Sequence, residues 1–266
     1  MNPRIVSALT LRYLFLYTRS PMRLIELIFW PVVELLIWGY LTLFIKQNST
    51  AHFGTEIMSL IGAMILWDVI FRAQQGVAIS FLEDVWTRNL LNVFVAPVRI
   101  GEYLAATFTI GVLRVSVTVI VLSLLSFARF DFNVFDMGWA ILPFFGHLLL
   151  CGWALGMIST ALILRWGQAA ESLAWAVPFF IQPFTAAFYP VSQIKPDWVQ
   201  QISWALPSTY VFEGMRKVLN EHVFDWHLFF GACTHNLALL AIAGSIFGWM
   251  LNLTRRQGLL TKFATN

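Results

Sequence analysis

The sequence predicts an all-α protein that crosses a membrane six times, and two observations carry that prediction. The first is composition: the chain of 266 residues is 59% hydrophobic and only 12% charged. Soluble domains carry about 25% charged residues, so a chain with half that charge could not keep large apolar patches away from water. The second is that the hydrophobic residues are gathered into six stretches, each close to the roughly 20 residues that a spanning helix needs.

The six stretches follow one another with mostly short connections, and no linker or internal repeat divides the chain. The predicted spans cover residues 24–45, 54–80, 101–127, 137–164, 170–190 and 228–253. We therefore expect residues 1–266 to form a single membrane domain.

The distribution of Lys and Arg predicts the orientation. These residues are concentrated before span one, between spans two and three, between spans four and five, and after span six. With six spans, all four regions lie on the same side, which the positive-inside rule makes the cytoplasm. We expect a multi-pass protein of the cell membrane, taken as a bacterial inner membrane, with both termini in the cytoplasm.

The segment before span one, residues 2–20, is too polar to span but has helical character. Arg12 and Arg19 are seven residues apart and share one face, while Leu9, Leu14 and Phe15 are available for lipid. This pattern predicts a helix that lies along the membrane surface. The alternative is an ordinary basic flank that only sets the topology.

A second amphipathic segment, residues 81–97, lies between spans two and three and ends at Pro97. Its charged residues are Glu83, Asp84 and Arg88. Its apolar residues Trp86, Leu90 and Phe94 are four apart and would form one stripe on a helix. We expect a short cytosolic helix that docks on another protein, the alternative being a plain turn packed against its own helices.

Residues 191–224, between spans five and six, are divided by prolines into short pieces. One piece follows Pro196 and another follows Pro207, and Trp198 and Trp204 are typical of the membrane interface. Two short helices at or dipping into the outer surface are predicted.

Motifs for catalysis and cofactor binding are missing from the sequence. There is no Walker A loop, no dinucleotide-binding glycine motif, no nucleophile elbow and no histidine pair at metal-ligand spacing. Cys151 and Cys233 both fall in apolar stretches and predict no disulfide or metal site. The net charge of +3 comes from basic residues scattered singly, which argues against nucleic acid as a partner. We expect a non-catalytic protein without cofactor or metal.

Charged residues inside the spans are the sharpest local signals, because each is costly in hydrocarbon. They are Glu34, Asp68, Arg72, Arg114 and Glu171, with Glu26 near the start of span one. Asp68 and Arg72 are four apart and can pair within one helix. Arg114 needs a partner from another helix, and Glu34 and Asp68 are the candidates. The set could line a substrate pathway or couple helices, and the alternative is a structural lock.

Two further patterns concern packing and the pathway. Gly152/Gly156 and Gly244/Gly248 permit close helix contacts, most simply within the chain. A cluster of phenylalanines in span five could line a greasy pathway: Phe179, Phe180, Phe184 and Phe188.

Three segments together resemble one family. They read APVRIGEY (Ala96–Tyr103), FYPVSQIKPDW (Phe188–Trp198) and LPSTYVFEGMR (Leu206–Arg216), and with the six-span order they resemble type-2 ATP-binding-cassette transporter permeases over essentially the whole chain. The resemblance implies a homodimer or heterodimer bound to separate nucleotide-binding ATPase subunits, usually acting as an exporter.

By that resemblance, residues 2–20 are an interface helix and residues 83–94 a coupling helix. The pieces after Pro196 and Pro207 are re-entrant helices, and the pathway lies mainly between spans two and five of two subunits.

The Leu-Gly-x-x-Trp signature associated with polysaccharide permeases is missing near span one, which favours an amphipathic small molecule or lipid as substrate. A polysaccharide or glycolipid permease of the same family remains an alternative. So does an ion-coupled carrier with Glu34, Asp68 and Arg114 as its ion site. A membrane enzyme acting on lipids would need catalytic polar residues clustered at one depth, and the sequence shows none.

Overall fold

A computed structural model describes residues 1–48 and 54–257, and this part of the chain contains helices and no β-strand. The ten α-helices are α1 (Pro3–Thr18), α2 (Pro21–Asn48), α3 (Gly54–Trp86), α4 (Leu90–Val95), α5 (Ile100–Phe130), α6 (Ile141–Trp166), α7 (Glu171–Ile181), α8 (Asp197–Trp204), α9 (Pro207–Glu221) and α10 (Trp226–Arg256). Short 3-10 turns join several of them. An all-α polytopic fold is confirmed.

Five helices in the described part are long and apolar enough to cross a membrane: α2, α3, α5, α6 and α10. They correspond to predicted spans one to four and six. The fifth predicted span, residues 170–190, is not one long helix. Its helix α7 has 11 residues, which extend about 16 Å at 1.5 Å per residue and fall short of a hydrocarbon core of about 30 Å. The count of six uninterrupted spanning helices is therefore not confirmed.

The physical reason for the break lies in the prolines of this segment. Pro178 lies inside α7, Pro183 begins a 3-10 turn over Gln182–Phe184, and Ala186 then adopts a positive φ of 53°. Each proline removes a backbone N–H from the helical ladder, and its ring clashes with the preceding turn. The apolar composition of the segment predicted a span, but its prolines stop the helix.

Helix α3 forms the centre of the molecule. Across an 18-residue apolar stretch of its segment Ser59–Trp86, 94% of the residues are buried within the chain, although the mean hydropathy of 1.2 is the lowest of the five. It packs against α2, α5 and α6. The contact with α6 is very close: a Cβ placed on Gly152 would lie 2.6 Å from the carbonyl oxygen of Ile70. A Cβ on Gly156 would lie 2.6 Å from Cβ of Val77.

The two predicted glycine pairs thus differ. Gly152 and Gly156 on α6 make the expected close contact with α3, so that prediction is confirmed. A Cβ on Gly244 or Gly248 of α10 would meet nothing within 4 Å in the described chain. The expectation of packing within the chain is wrong for this second pair.

The surface helices begin where the sequence places their start signals. α1 starts with Pro3 in its first turn, after the side chain of Asn2 accepts a hydrogen bond from the backbone N–H of Arg4 at 3.0 Å. The predicted helix over residues 2–20 is confirmed, and its place on the membrane surface stays a prediction. α8 follows Pro196 and α9 begins at Pro207, so the two short helices predicted in residues 191–224 are present, and their place at the outer surface stays a prediction.

The predicted amphipathic helix over residues 81–97 is divided in two. α3 continues to Trp86, Arg88 adopts a positive φ of 55°, and α4 begins at Leu90. Trp86 and Leu90 therefore do not share a helix, and the expected stripe through Trp86, Leu90 and Phe94 is wrong. The left-handed turn at Arg88 breaks the i,i+4 relation that the stripe required.

Candidate functional site

A buried acid at the end of α3 joins three helices. Asp84 is fully buried and accepts a hydrogen bond from the hydroxyl of Tyr13 on α1 at 2.6 Å. It accepts another from Tyr103 on α5 at 3.1 Å and forms an ion pair with Arg12 on α1. We call these four residues the Asp84 network. A buried carboxylate is tolerated where a cation and hydroxyl donors surround it, as they do here.

The network changes the ionisation of its α1 members. Burial raises the pKa of the Tyr13 phenol well above its usual value, and the neighbouring Asp84 charge raises it further. Burial by itself would lower the pKa of Arg12, but the ion pair with Asp84 outweighs it and the pKa rises. Tyr13 therefore stays a neutral donor and Arg12 a cation at physiological pH.

Two further carboxylates fasten the same end of the molecule. Glu83 forms an ion pair with Arg23 of α2, with Nη1 and Oε1 2.8 Å apart. Glu102 accepts a hydrogen bond from the backbone N–H of Asn2 at 2.7 Å and another from that of Arg99 at 2.9 Å. Glu83 thereby holds the start of α2 against the last turn of α3, and Glu102 holds the start of α1 against that of α5.

A small exposed surface lies just beyond this network. The side chains of Leu90 and Val93 in α4 are buried against the bundle, whereas Val95 is 78% exposed. Trp86 is 38% exposed, and its Nε1 donates to Glu171 of α7 at 3.3 Å. We call the exposed residues around α4 the α4 surface; they are Trp86, Thr87, Arg88, Asn92 and Val95. The side chain of Phe94 lies outside the described part of the structure.

A second charged cluster lies halfway along α3. Asp68 and Arg72 form the ion pair expected from their spacing, with Oδ1 and Nε 3.1 Å apart. Arg114 of α5 donates to Gln75 Oε1 at 2.9 Å and to the hydroxyl of Tyr17 at 2.9 Å. The expected partner, a carboxylate or carbonyl from another helix, is present as the amide carbonyl of Gln75, but neither named candidate, Glu34 or Asp68, is a hydrogen-bond partner of Arg114 among the described residues. Tyr17 and Gln75 already supply acceptors, one from α1 and one from the adjoining α3.

This central cluster opens onto a cavity of about 470 Å³. Helices α2, α3, α5 and α7 contribute to its lining, with Tyr17 added from α1. Charged groups on its wall include Glu26, Glu34, Arg72 and Arg114, and aromatic rings on its wall include Trp30, Phe71, Trp175 and Phe179. A cavity of this size, mostly apolar with a few polar groups, is typical of a small-molecule site.

A family model described as "ABC-2 type transporter" matches residues 5–220 of the chain, which is well over half of it. The chain belongs to the ABC-2 type transporter family. It is therefore a permease component of an ABC transporter and an integral membrane protein. No curated protein matches the chain. The family match runs from α1 into α9 and so includes the Asp84 network, the α4 surface and the cavity.

The predicted coupling residues of this ABC-2 protein fall into two groups. Glu83, Asp84 and Leu90 face inward and bind or pack against other helices. Trp86 and Arg88 are exposed on the α4 surface. The ion pairs Arg23–Glu83 and Arg12–Asp84 therefore hold the α4 surface in place. The exposed residues of that surface are the ones that a partner could touch.

The predicted pathway phenylalanines also separate. Phe179 lines the cavity and contacts Phe71, with ring centroids 5.3 Å apart, and Phe180 is 69% exposed. Phe188 stacks on Trp38 at 4.6 Å, away from the cavity lining, while Phe184 is half-buried in the 3-10 turn after α7. The structure therefore places one of the four, Phe179, at the cavity.

One structural pair escaped the sequence reasoning. Arg216 in α9 donates to the carbonyl oxygens of Ala186 at 2.7 Å and Ala187 at 3.2 Å, and pairs with Glu213 at 3.1 Å. Glu213 in turn accepts from the N–H of Val191 at 2.7 Å. This pair holds the irregular segment after α7, and the Glu-x-x-Arg spacing on a helix was the signal that could have revealed it.

Metal binding finds no support in the part of the chain that the structure describes. Within residues 1–48 and 54–257, no three His, Cys, Asp or Glu side chains come together as a metal site would require. The polar groups of the cavity are guanidinium, carboxylate and amide groups, which suit a charged organic ligand.

Proposed function

We propose that the chain is the transmembrane subunit of an ABC exporter for an amphipathic small molecule or lipid. ATP would be hydrolysed by a separate nucleotide-binding subunit that docks on the α4 surface from the cytoplasm. The observation that supports this most directly is the position of α4, which follows the last turn of the enclosed helix α3 after a break of three residues. A displacement of α4 would therefore reach the helix that lines the cavity.

The Asp84 network extends that connection to other helices. Because Asp84 binds groups on α1 and α5, and Glu83 binds Arg23 on α2, the last turn of α3 cannot move without these helices. ATP binding in a partner would shift the permease between two arrangements through its different affinity for each. Glu83 and Asp84 are positioning residues in this mechanism.

A second copy of the chain would complete the pathway. The cavity is bordered by aromatic side chains that remain exposed in the single chain: Trp30 is 57% exposed and Phe179 is 48% exposed. Two copies facing each other across these residues would enclose a pathway lined by α2, α3 and α7. The family usually works as such a dimer, which supports a homodimer here.

The test is a mild-detergent pull-down of the tagged protein from its native membrane, followed by an assay of ATP hydrolysis. We expect a soluble ATPase subunit to co-purify. The variant Val95→Asp places a charge on the α4 surface and should remove that partner. Val223→Asp is the matched control, because Val223 is also exposed, at 53%, but precedes α10 in a different loop.

Two results would contradict the proposal. Co-purification of the ATPase at wild-type level with Val95→Asp would remove the α4 surface as the docking site. A protein that comes down alone in several detergents, without ATPase activity, would favour the ion-coupled carrier instead.

A further inference from the structure

Two buried guanidinium groups converge on one acceptor in the central cluster. Arg72 donates from Nη1 to Gln75 Oε1 at 3.0 Å, and Arg114 donates from Nη2 to the same oxygen at 2.9 Å. The two cationic nitrogens therefore lie within about 6 Å of each other, a distance at which like charges repel strongly in a medium of low dielectric constant. Bringing them together requires negative charge nearby.

Among the described residues, only one of the two guanidinium groups has a carboxylate in direct contact. Asp68 pairs directly with Arg72, and both side chains are buried. Arg114 is 8% exposed, its partners are the neutral Tyr17 and Gln75, and its Nε has no hydrogen-bond partner in the described chain. A buried cation without a contacting anion is costly, so Arg114 is the group in the cavity wall that most needs a ligand.

The acids on the cavity wall do not remove that need. Glu83 is bound to Arg23. Glu26 is exposed and Glu34 is half-buried, so both can be solvated, and no ion pair in the described residues joins either of them to Arg114. Arg114 is therefore enclosed without a contacting carboxylate, while Glu26 and Glu34 are less buried than it is.

The rest of the cavity suits an apolar tail. Trp175 and Phe179 of α7 line it together with Trp30 of α2, and the exposed rings of Trp30 and Phe179 continue its apolar wall towards the pathway proposed between two copies. A ligand with its head at Arg114 could thus extend its tail past the aromatic rings without burying a polar group in hydrocarbon.

We propose that the Arg72–Arg114 pair is the head-group subsite for an amphipathic anion, a molecule with one phosphate or carboxylate group and an apolar tail. The inference rests on the proposed function, since it assigns the substrate class of that transport pathway. Guanidinium groups bind phosphate and carboxylate through paired N–H donors, and the free Nε of Arg114 offers one of these donors. The substrate would displace or share the hydrogen bond to Gln75.

The test uses binding to the full-length protein in phosphatidylcholine nanodiscs, without any ATPase. The probe is 11-bromoundecyl phosphate, whose bromine quenches the fluorescence of nearby tryptophans such as Trp30 and Trp175. Matched probes replace the phosphate by a hydroxyl or by a trimethylammonium group. We expect saturable quenching by the phosphate at a concentration about tenfold below that for either matched probe, because charge-assisted hydrogen bonds to Arg form with the phosphate alone.

Variants of one helix test the residue assignment. Arg114→Gln should weaken binding of the phosphate probe about tenfold, and Arg114→Lys should lie between it and the wild type, since it keeps the charge but loses the fork geometry. Arg129→Gln, on the same helix but exposed, should leave binding unchanged. Thermal melting of each variant establishes that it is folded. If Arg114→Gln does not fold, the subsite is tested instead by the affinity of Arg114→Lys for the phosphate probe and by the comparison of the three probes on the wild type.

Three results would overturn the subsite. The first is equal binding of the three probes by the wild type, and the second is unchanged binding of the phosphate probe by a folded Arg114→Gln. The third comes from competition: if inorganic phosphate displaces the bound probe at the same concentration as dodecyl phosphate, the apolar tail contributes nothing to binding. Failure of the proposed function looks different. If the phosphate probe binds through Arg114 but no ATPase co-purifies, the proposed exporter function is wrong and the subsite stands. If an ATPase co-purifies but the phosphate probe does not bind, the subsite is wrong and the exporter function stands.

Discussion

Helices α3 and α10 are both long enough to span a membrane, yet their surroundings are opposite. In an 18-residue apolar stretch of α3, 94% of the residues are buried and the mean hydropathy is 1.2, whereas in the corresponding stretch of α10, 28% are buried and the mean hydropathy is 1.7. α3 carries Asp68, Arg72, Glu83 and Asp84, and α10 carries its Lys and Arg residues only at its end, at Arg255 and Arg256. The more polar helix is the one inside.

The reason is that lipid, like a protein core, is apolar. A helix facing lipid must be apolar all along its outer face, while a helix surrounded by other helices can place charges opposite partners. In α3, low hydropathy therefore accompanies an enclosed position. The segment that contains α6 is also mostly buried, at 72%, but keeps a mean hydropathy of 1.9, so enclosure permits charges without requiring them.

Among variants that test the enclosed position of α3, we expect Asp84→Ala to lower the stability of the protein most. Removing the carboxylate takes away the buried partner of Arg12 and the acceptor that Asp84 supplies to the hydroxyls of Tyr13 and Tyr103. Breaking a buried ion pair typically costs about 3–5 kcal/mol. The measurement is the thermal midpoint of the detergent-solubilised protein, followed by size-exclusion fluorescence. Asp136→Ala, which changes an exposed acid, is the control. Equal midpoints for the two variants would mean that the Asp84 network does not hold the helices together.

A moderate effect is expected at the glycines, which compare the two helices directly. Gly152→Val should destabilise the protein by about 1–3 kcal/mol, because a side chain there overlaps the backbone of α3. Gly248→Val on α10 carries the same helix-propensity cost and meets no neighbour in the described chain, so its effect should be clearly smaller. The same melting assay measures both. A Gly248 variant as unstable as the Gly152 variant would contradict an open face of α10.

Much of the fold could be predicted from the sequence, because a bilayer imposes a minimum length on apolar helices. That rule located α2, α3, α5, α6 and α10, and the prolines located the starts of α8 and α9. It failed at residues 170–190, where the same apolar composition hid the end of α7 at Ile181, two residues before Pro183. Composition averages over a window, whereas a proline acts at one position.

The candidate site was less accessible to sequence reasoning. The i,i+4 pair Asp68–Arg72 could be predicted because both partners lie on one helix. The partners of Arg114 could not: Tyr17 is 97 residues away in sequence, and nothing local relates the two. The inward direction of Glu83 and Asp84 was equally hidden, since it depends on α1 and α2 packing beside the last turn of α3. The coupling role of these residues stays a prediction.

The smallest effect is expected at the start of α10, where the charge is least enclosed. A hydrogen bond from Lys217 to Asp225, at 2.7 Å, lowers the pKa of Asp225, and the backbone N–H groups of His227 and Leu228 lower it further. Because the folded pKa is below the unfolded one, this contribution to stability is present above the ordinary Asp pKa of about 3.9 and is lost as pH falls through the lower folded value.

Asp225→Asn isolates that contribution, because Asn caps a helix about as well as Asp. The variant should melt slightly below the wild type at pH 7, and the difference should shrink towards pH 3. Melting curves at several pH values measure it. A difference that grows in acid would mean that the Lys217 contact is not its source.

The enclosure of α3 also determines how a force could travel through the protein. Trp86 is fourteen residues from Arg72, about 21 Å along the helix axis. Between them, Gly76 approaches Gly111 of α5 so closely that an added Cβ would lie 2.3 Å from its Cα, and Gly156 of α6 fits as tightly against Val77. These contacts leave α3 no room to slide or bend alone, so a displacement at Trp86 arrives at Arg72 as the movement of a rigid block of helices. Such collective movements take on the order of microseconds to milliseconds, far longer than the rotation of a side chain.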